Sequence, residues 1–347
     1  LIYASEVAML KGIDGAEDHA VAQRNALLTL PHQAINHALK FAVGNNKFAA
    51  AHELISVLDG SGGQSWDGLR EAMGSGVPMI SHSAAVVLAH RGEDDAAVIS
   101  NLGEAVALES KRLVHIIDGN SSRASTLATS LEASGVSVMI ANDGASGLVN
   151  MHLASDVDAF VVADVLPDLY ASRVIKNINM DPRFNGISIF EVEEGAQVSA
   201  EEVIAGFSDL SSARQAYENM AAAAAAALAH CAFTAPDLVG DVSNSLVIAL
   251  NREDSIAISA AMALGNSTCS ETEVAEMVRV LSDSARSSAV RVACANALSA
   301  CYTNCGIAVD ASYFQSAMTE GDAALTEACS RAIGTMGSGH ISAGVSL

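Results

Sequence analysis

Two carboxylates stand out because each directly follows a short apolar run. Asp118 comes after Leu113-Val114-His115-Ile116-Ile117, and Asp164 after Ala159-Phe160-Val161-Val162-Ala163. Such runs read as buried parallel strands. Carboxylates at the C-terminal ends of neighbouring strands converge, and Asp118 with Asp164 can hold a divalent ion such as Mg²⁺ weakly. No other cofactor is expected. His52-Glu53 begins like a zinc helix, but Ser56 stands where the second His would be. No nucleophile elbow, P-loop or Gly-x-Gly-x-x-Gly occurs. His115 lies inside an apolar run and reads as a core residue. The six cysteines, Cys231, Cys269, Cys294, Cys301, Cys305 and Cys329, form no Cys-x-x-Cys pair and read as small buried hydrophobes. Free thiols of this kind fit a reducing compartment, so a cytoplasmic location is expected.

The elements that must position Asp118 and Asp164 alternate. Strands are expected at Leu113–Ile117, Val136–Ile140, Ala159–Ala163 and Ile187–Val192. Helices are expected at Ser122–Ser134, Gly144–His152 and Val174–Met180. Alternation of this kind predicts a parallel, doubly wound sheet with its site at the C-terminal ends of the strands. Ile117-Asp118 with Arg123, and the run Val161-Val162-Ala163-Asp164-Val165-Leu166-Pro167-Asp168, make residues 110–212 similar to the receiver domain of response regulators, a flavodoxin-like module.

That resemblance implies phosphotransfer to an aspartate at the end of the third strand. It also implies an acidic pair that binds Mg²⁺ after the first strand, a Thr or Ser after the fourth, and a Lys after the fifth. Asp118 takes one place of the pair and Gly119 the other. Asp164 is the natural phosphoacceptor. Pro167 follows it by three positions where the family has four, so either the loop is one residue shorter or Ala163 occupies the acceptor's place. Glu193 stands where Thr or Ser is expected, and the fifth-strand region Val203–Phe207 offers no lysine. The fourth helix is shortened to almost nothing between Glu194 and Glu202. The module reads as a degenerate receiver with a vestigial acceptor.

On both sides the period becomes helical. Ala260, Cys294 and Cys329 recur at matching offsets, as do Ala263, Ala297 and Ala332, each time followed by Leu264, Leu298 or Ile333. The spacing is about 34–35 residues, within the range of stacked helical pairs. His82 through Ala89, with Leu88 in the Leu264 place, repeats the pattern earlier in the chain. Val290-Arg291 with Ala293 and Ala297-Leu298 is similar to HEAT repeats. Arg291 is expected to pair with an acidic residue in the neighbouring repeat. Residues 1–66 fit the repeat poorly but carry helical spacing at Ala20–Leu30, His32–Val43 and Lys47–Leu58, with a turn at Gly60–Gly63. Ala221–Ala227 reads as a packed helix leading back into the repeats.

The expected fold is therefore multi-domain. HEAT-like α-helical solenoid segments, 1–109 and 213–347, flank a flavodoxin-like α/β domain at 110–212.

Composition narrows the function. The 347 residues include 18 basic and 40 acidic side chains, a net charge of −22. Nucleic acid and anionic lipid both demand a basic face, so neither is an expected partner. The longest small-apolar stretch, Met220–Ala229, is too short for a membrane span of about 20 residues. No signal peptide is read, and a start at Leu1-Ile2-Tyr3 suggests a piece of a longer chain. The leading expectation is a non-enzymatic interaction scaffold for protein partners with basic surfaces. The alternative is a phosphorylation-responsive regulator that uses Asp164. A third reading, an enzyme similar to the HEAT-like phycobilin lyases, shares only the repeat type.

Overall fold

The computed structural model describes residues 1–10, 17–60, 66–108, 112–153, 157–181, 184, 186–207 and 212–337. Among these are nineteen helices and four strands. Before the sheet come α1 (Ile2–Leu10), α2 (Glu17–Leu28), α3 (His32–Gly44), α4 (Phe48–Gly60), α5 (Asp67–Met73), α6 (Pro78–His90) and α7 (Ala96–Ala107). Strands and helices then alternate as β1 (Leu113–Ile117), α8 (Ser121–Ala133), β2 (Ser137–Ala141), α9 (Gly144–Leu153), β3 (Val157–Ala163), α10 (Ala171–Met180), β4 (Ser188–Val192) and α11 (Ala200–Ala205). The rest is helical: α12 (Ser212–Cys231), α13 (Pro236–Asp241), α14 (Ser243–Ala249), α15 (Asp254–Asn266), α16 (Glu271–Ser282), α17 (Ser288–Cys305), α18 (Ala311–Met318) and α19 (Ala323–Met336). Among the described residues no helix is long and apolar enough to cross a membrane.

The chain falls into two compact units. One joins residues 1–83 to 109–219, the other 84–108 to 220–347. The expected domain borders near 109 and 212 touch residues 109–111 and 208–211, which lie outside the described residues, as does most of the expected Gly60–Gly63 turn.

In the first unit all four strands are parallel, in the order β2-β1-β3-β4. Side chains alternate across the sheet, as the period of two requires. Ile117, Phe160 and Val162 face α9 and α10, where Met151, Val174 and Ile178 cover them. Val114, Ile116 and Val161 face α8 and α11, where Leu127, Leu131 and Val203 cover them. Both faces are therefore buried, which explains why β1 and β3 read as near-continuous apolar runs. Asp158 anchors the lower end of the sheet by accepting from the Leu113 backbone N–H at 2.9 Å.

The expected fifth-strand region, Val203–Phe207, is instead largely helical. Ser199 and Glu202 form a capping box, with the Glu202 carboxylate accepting from the Ser199 N–H at 2.8 Å. Two otherwise orphaned N–H groups are satisfied reciprocally, which fixes the start of α11 and takes Val203 out of strand geometry.

His115 is fully buried, 5.6 Å from the Phe160 ring, and neither ring nitrogen finds a hydrogen-bond partner among the described residues. Burial pushes its pKa down to about 4.

In the second unit α15, α17 and α19 stack in succession, with α16 against α17 and α18 against α19. Small residues set the spacing. Ala260, Ala263, Cys294, Ala297, Cys329 and Ala332 are all buried, as are Leu264 and Leu298. A Cβ placed on Gly265 would lie 2.7 Å from the Ala297 Cα, so α15 and α17 approach to backbone distance there. Arginines tie successive layers to main-chain oxygens. Arg252 donates to the carbonyls of Val106 and Leu108 at 2.7 and 3.1 Å. Arg286, 34 positions later, donates to those of Leu250 and Arg252 at 3.1 and 2.9 Å. The buried Arg291 donates to the Leu281 carbonyl at 2.8 Å and forks onto Glu320, with Nη2 to Oε1 at 2.8 Å. Arg291 therefore does have its expected acidic partner.

Two outcomes follow from this packing. Gly265→Val should destabilise the chain by about 2–3 kcal/mol through overpacking against α17, measured by urea unfolding; an unchanged midpoint would refute the backbone-distance approach. His115 binds a proton more readily in the unfolded chain, so its contribution is complete above pH 6.5 and is lost as pH falls toward 4. His115→Leu should remove about 3 kcal/mol of the stability difference between pH 7 and pH 4. An unaltered pH profile would show that the imidazole is not buried neutral.

Candidate functional site

The C-terminal edge of the sheet gathers Asp118, Asn120, Asp143, Asp164 and Asp168, each on a loop leaving a strand. Asp118 and Asp164 both sit one residue past their strands. The Asp118 N–H donates to the Ala141 carbonyl at 2.9 Å and the Asp164 N–H to that of Val192 at 3.0 Å. Ala163 closes β3 with its methyl buried, which leaves Asp164 as the carboxylate at that end.

Asp118 is 4% exposed and its charge is already met. Arg123, on the first turns of α8, donates from Nε to Oδ2 at 2.7 Å and from Nη2 to Oδ1 at 3.1 Å. The Asn120 N–H adds a third bond to Oδ1 at 2.8 Å. The guanidinium then reaches across the edge, and Nη1 donates to the carbonyls of Glu193 and Ala196 at 3.1 and 3.2 Å. This planar fork suits a carboxylate and two carbonyls better than an ammonium could. The hydrogen bond to Asp118 holds the Arg123 pKa further above its usual range against the opposing effect of burial, and the charges of Asp118, Asp164 and Glu194 act in the same direction.

The neighbouring acids are similarly engaged. Asn120 caps α8 by accepting from the Arg123 N–H at 3.1 Å. Asp143 accepts from the Ser146 N–H at 2.7 Å. Asp168 reaches from the β3–α10 loop to the start of α9, accepting from the Gly144 and Ala145 N–H groups at 2.7 and 2.9 Å. Desolvation would raise the Asp168 pKa, but the backbone bonds outweigh it and the carboxyl sits below its ordinary value. Asp164 is the exception: its Oδ1 is buried without a hydrogen-bond partner among the described residues.

The residues present do not fit the Mg²⁺ of a receiver. Both Asp118 oxygens face Arg123, so a second cation there would meet a fixed positive charge. The other place of the acidic pair is closed as well. A Cβ on Gly119 would lie 3.1 and 3.2 Å from the Pro167 ring, inside ordinary contact. The three-residue step from Asp164 to Pro167 brings that ring against the first loop. Among the described residues no group of three or more His, Cys, Asp or Glu is placed to hold a metal ion. Glu193 contributes its carbonyl to Arg123, while its side chain is exposed.

A cavity of about 230 Å³ opens beside the pair, bordered by Ile116, Thr126, Ser130, Val161, Gln197 and Ser199. That is below the roughly 300–1,000 Å³ of small-molecule sites.

The sequence marked Asp118 and Asp164 but not the roles of Arg123, Asp168 or Gly119. For Arg123 the available signal was a cation one helical turn into the element that follows an acid-tipped strand.

No family model matches the chain, and neither a curated protein nor a solved structure matches it.

Removing the guanidinium should leave Asp118 buried with a single donor and release the Glu193–Ala196 segment. Arg123→Ala is expected to lose about 2–4 kcal/mol of stability in urea unfolding. Combined with Asp118→Ala, the loss should fall well short of the sum of the two single losses. Strict additivity would show that the two side chains do not act as a pair.

Proposed function

We propose that this protein is a non-enzymatic scaffold for protein partners, built from HEAT-like solenoid segments and a flavodoxin-like, receiver-like module that has lost phosphorylation competence. The observation that carries the reading is the Arg123 fork on Asp118. In a receiver the acidic pocket is a place for exchangeable charge: a metal arrives and a phosphoryl group is gained and lost. Here the positive charge is covalently part of α8, and Asp143 and Asp168 are committed to backbone N–H groups. A module of this kind holds one arrangement.

Three further features support the reading. The strand order β2-β1-β3-β4, all parallel and with both faces covered, follows the flavodoxin-like order, without a fifth strand among the described residues. The pairs α14–α15, α16–α17 and α18–α19, stacked through α15, α17 and α19, and the 34-residue spacing of Arg252 and Arg286 fit a helical repeat. A net charge of −22 favours partners with basic surfaces.

The rival reading, a regulator phosphorylated on Asp164, has the partnerless Oδ1 of that residue in its favour. One experiment separates the two. The intact chain is incubated with acetyl phosphate and Mg²⁺ and its mass recorded. The scaffold reading expects no phosphoryl adduct. An adduct on the unmodified chain that Asp164→Asn abolishes would replace it with the regulator reading.

A further inference from the structure

The second unit holds two thiols face to face. Cys269 lies between α15 and α16, one residue before the Ser270 cap. Cys305 is the last residue of α17, just before Gly306, whose φ of 73° ends the helix. Their sulfurs are 3.5 Å apart, and the Cys269 N–H also points at the Cys305 Sγ at 3.4 Å. Both residues are half-buried, unlike the other four cysteines, which are buried.

The facing arrangement is held from several sides. The last turn of α17 is fastened to the end of α15 by Asn304 Nδ2, which donates to the Gly265 carbonyl at 3.1 Å. The Cys301 and Cys305 thiols donate to the carbonyls of Leu264 and Ser267 at 3.7 and 3.8 Å. Neither thiol is therefore free to drift from the other, and closing the sulfurs to the roughly 2.05 Å of a disulfide needs about 1.5 Å of approach.

We infer that Cys269 and Cys305 form a reversible disulfide site that locks adjoining helical layers together. The two positions are 36 residues apart, about one repeat period, so the bond would join one layer to the next. The oxidant class is a low-molecular-weight disulfide such as oxidised glutathione. The more exposed Cys305, as thiolate, attacks one glutathione sulfur, forms a mixed disulfide and expels the other glutathione as a thiolate. The Cys269 thiolate then attacks the Cys305 sulfur, the protein disulfide forms, and the second glutathione leaves. The protein loses two hydrogens, and the two protons end on two glutathione thiols.

Both thiols are held protonated. Burial pushes the Cys305 thiol up, and contact with Cys301 together with burial pushes that of Cys269 up further. The bond should therefore form slowly near neutral pH and about tenfold faster for each pH unit above it, because the thiolate is the reacting species.

The test uses the full chain, reduced, then treated with oxidised glutathione at pH 8, alkylated and mapped by peptide mass spectrometry. The expected result is a cross-linked Cys269–Cys305 peptide pair, two fewer alkylated cysteines than in the untreated chain, and reversal by dithiothreitol. The oxidised chain should also resist thermal unfolding better than the reduced one. Cys269→Ser and Cys305→Ser should each stop at a glutathione adduct or remain unmodified, whereas Cys301→Ser should still form the bridge. A Cys269–Cys301 bridge, or a folded, reduced chain that forms no bridge even at pH 9, would overturn the inference. The mapping of the unmodified chain decides the matter even if a serine variant fails to fold.

Discussion

One ion pair organises the edge of the sheet. In water an arginine and an aspartate attract each other weakly, but a buried carboxylate without a counter-charge is strongly disfavoured. The Asp118 side chain is 6% exposed and that of Arg123 16%. Folding the sheet therefore requires the guanidinium to arrive with it, and its spare N–H groups then collect the carbonyls of Glu193 and Ala196. The segment after β4 is placed by a contact made six residues after β1 ends. Pro167 against Gly119 completes the arrangement from the other side. Charge and shape thus close the same space by independent means, and no single substitution would reverse both.

The helical unit rests on a different constraint. Alanine, glycine and cysteine at the contact positions remove side-chain bulk, so the helices meet near their backbones. Close approach brings main-chain carbonyls at helix ends within reach of long side chains on the next layer. Arg252, Arg286 and Arg291 occupy that opportunity, and each donates to at least one main-chain oxygen at a helix end, Arg291 giving its remaining donors to Glu320. The facing thiols of Cys269 and Cys305 arise from the same proximity.

Much of this architecture was legible in the residues. The apolar runs of β1 and β3 located the strands to within two residues, because a strand buried on both faces has no polar alternation to blur it. The small-residue offsets at Ala260, Cys294 and Cys329 located α15, α17 and α19 because helix contact demands them. Val203–Phe207 misled: a run of β-branched and aromatic residues suggests a strand, but the Ser199–Glu202 box sets helical geometry before the run begins. At the site, the acids were visible because they end strands. Their neutralisation was not, since an arginine five residues from an aspartate carries no geometric mark until β1 and α8 are placed. The Cys269–Cys305 pair was hidden for a related reason, having no spacing signature of its own.

The arginine contacts carry a consequence for how this unit tolerates change. A side chain that bonds to another side chain is hostage to the identity of its partner. Arg252 and Arg286 bond to peptide oxygens, which every amino acid supplies alike. Those bonds therefore do not depend on which side chains stand at the acceptor positions, provided the helix ends stay where they are. Layer attachment and surface chemistry are thereby uncoupled, and the outer faces of the helices are left free to diversify.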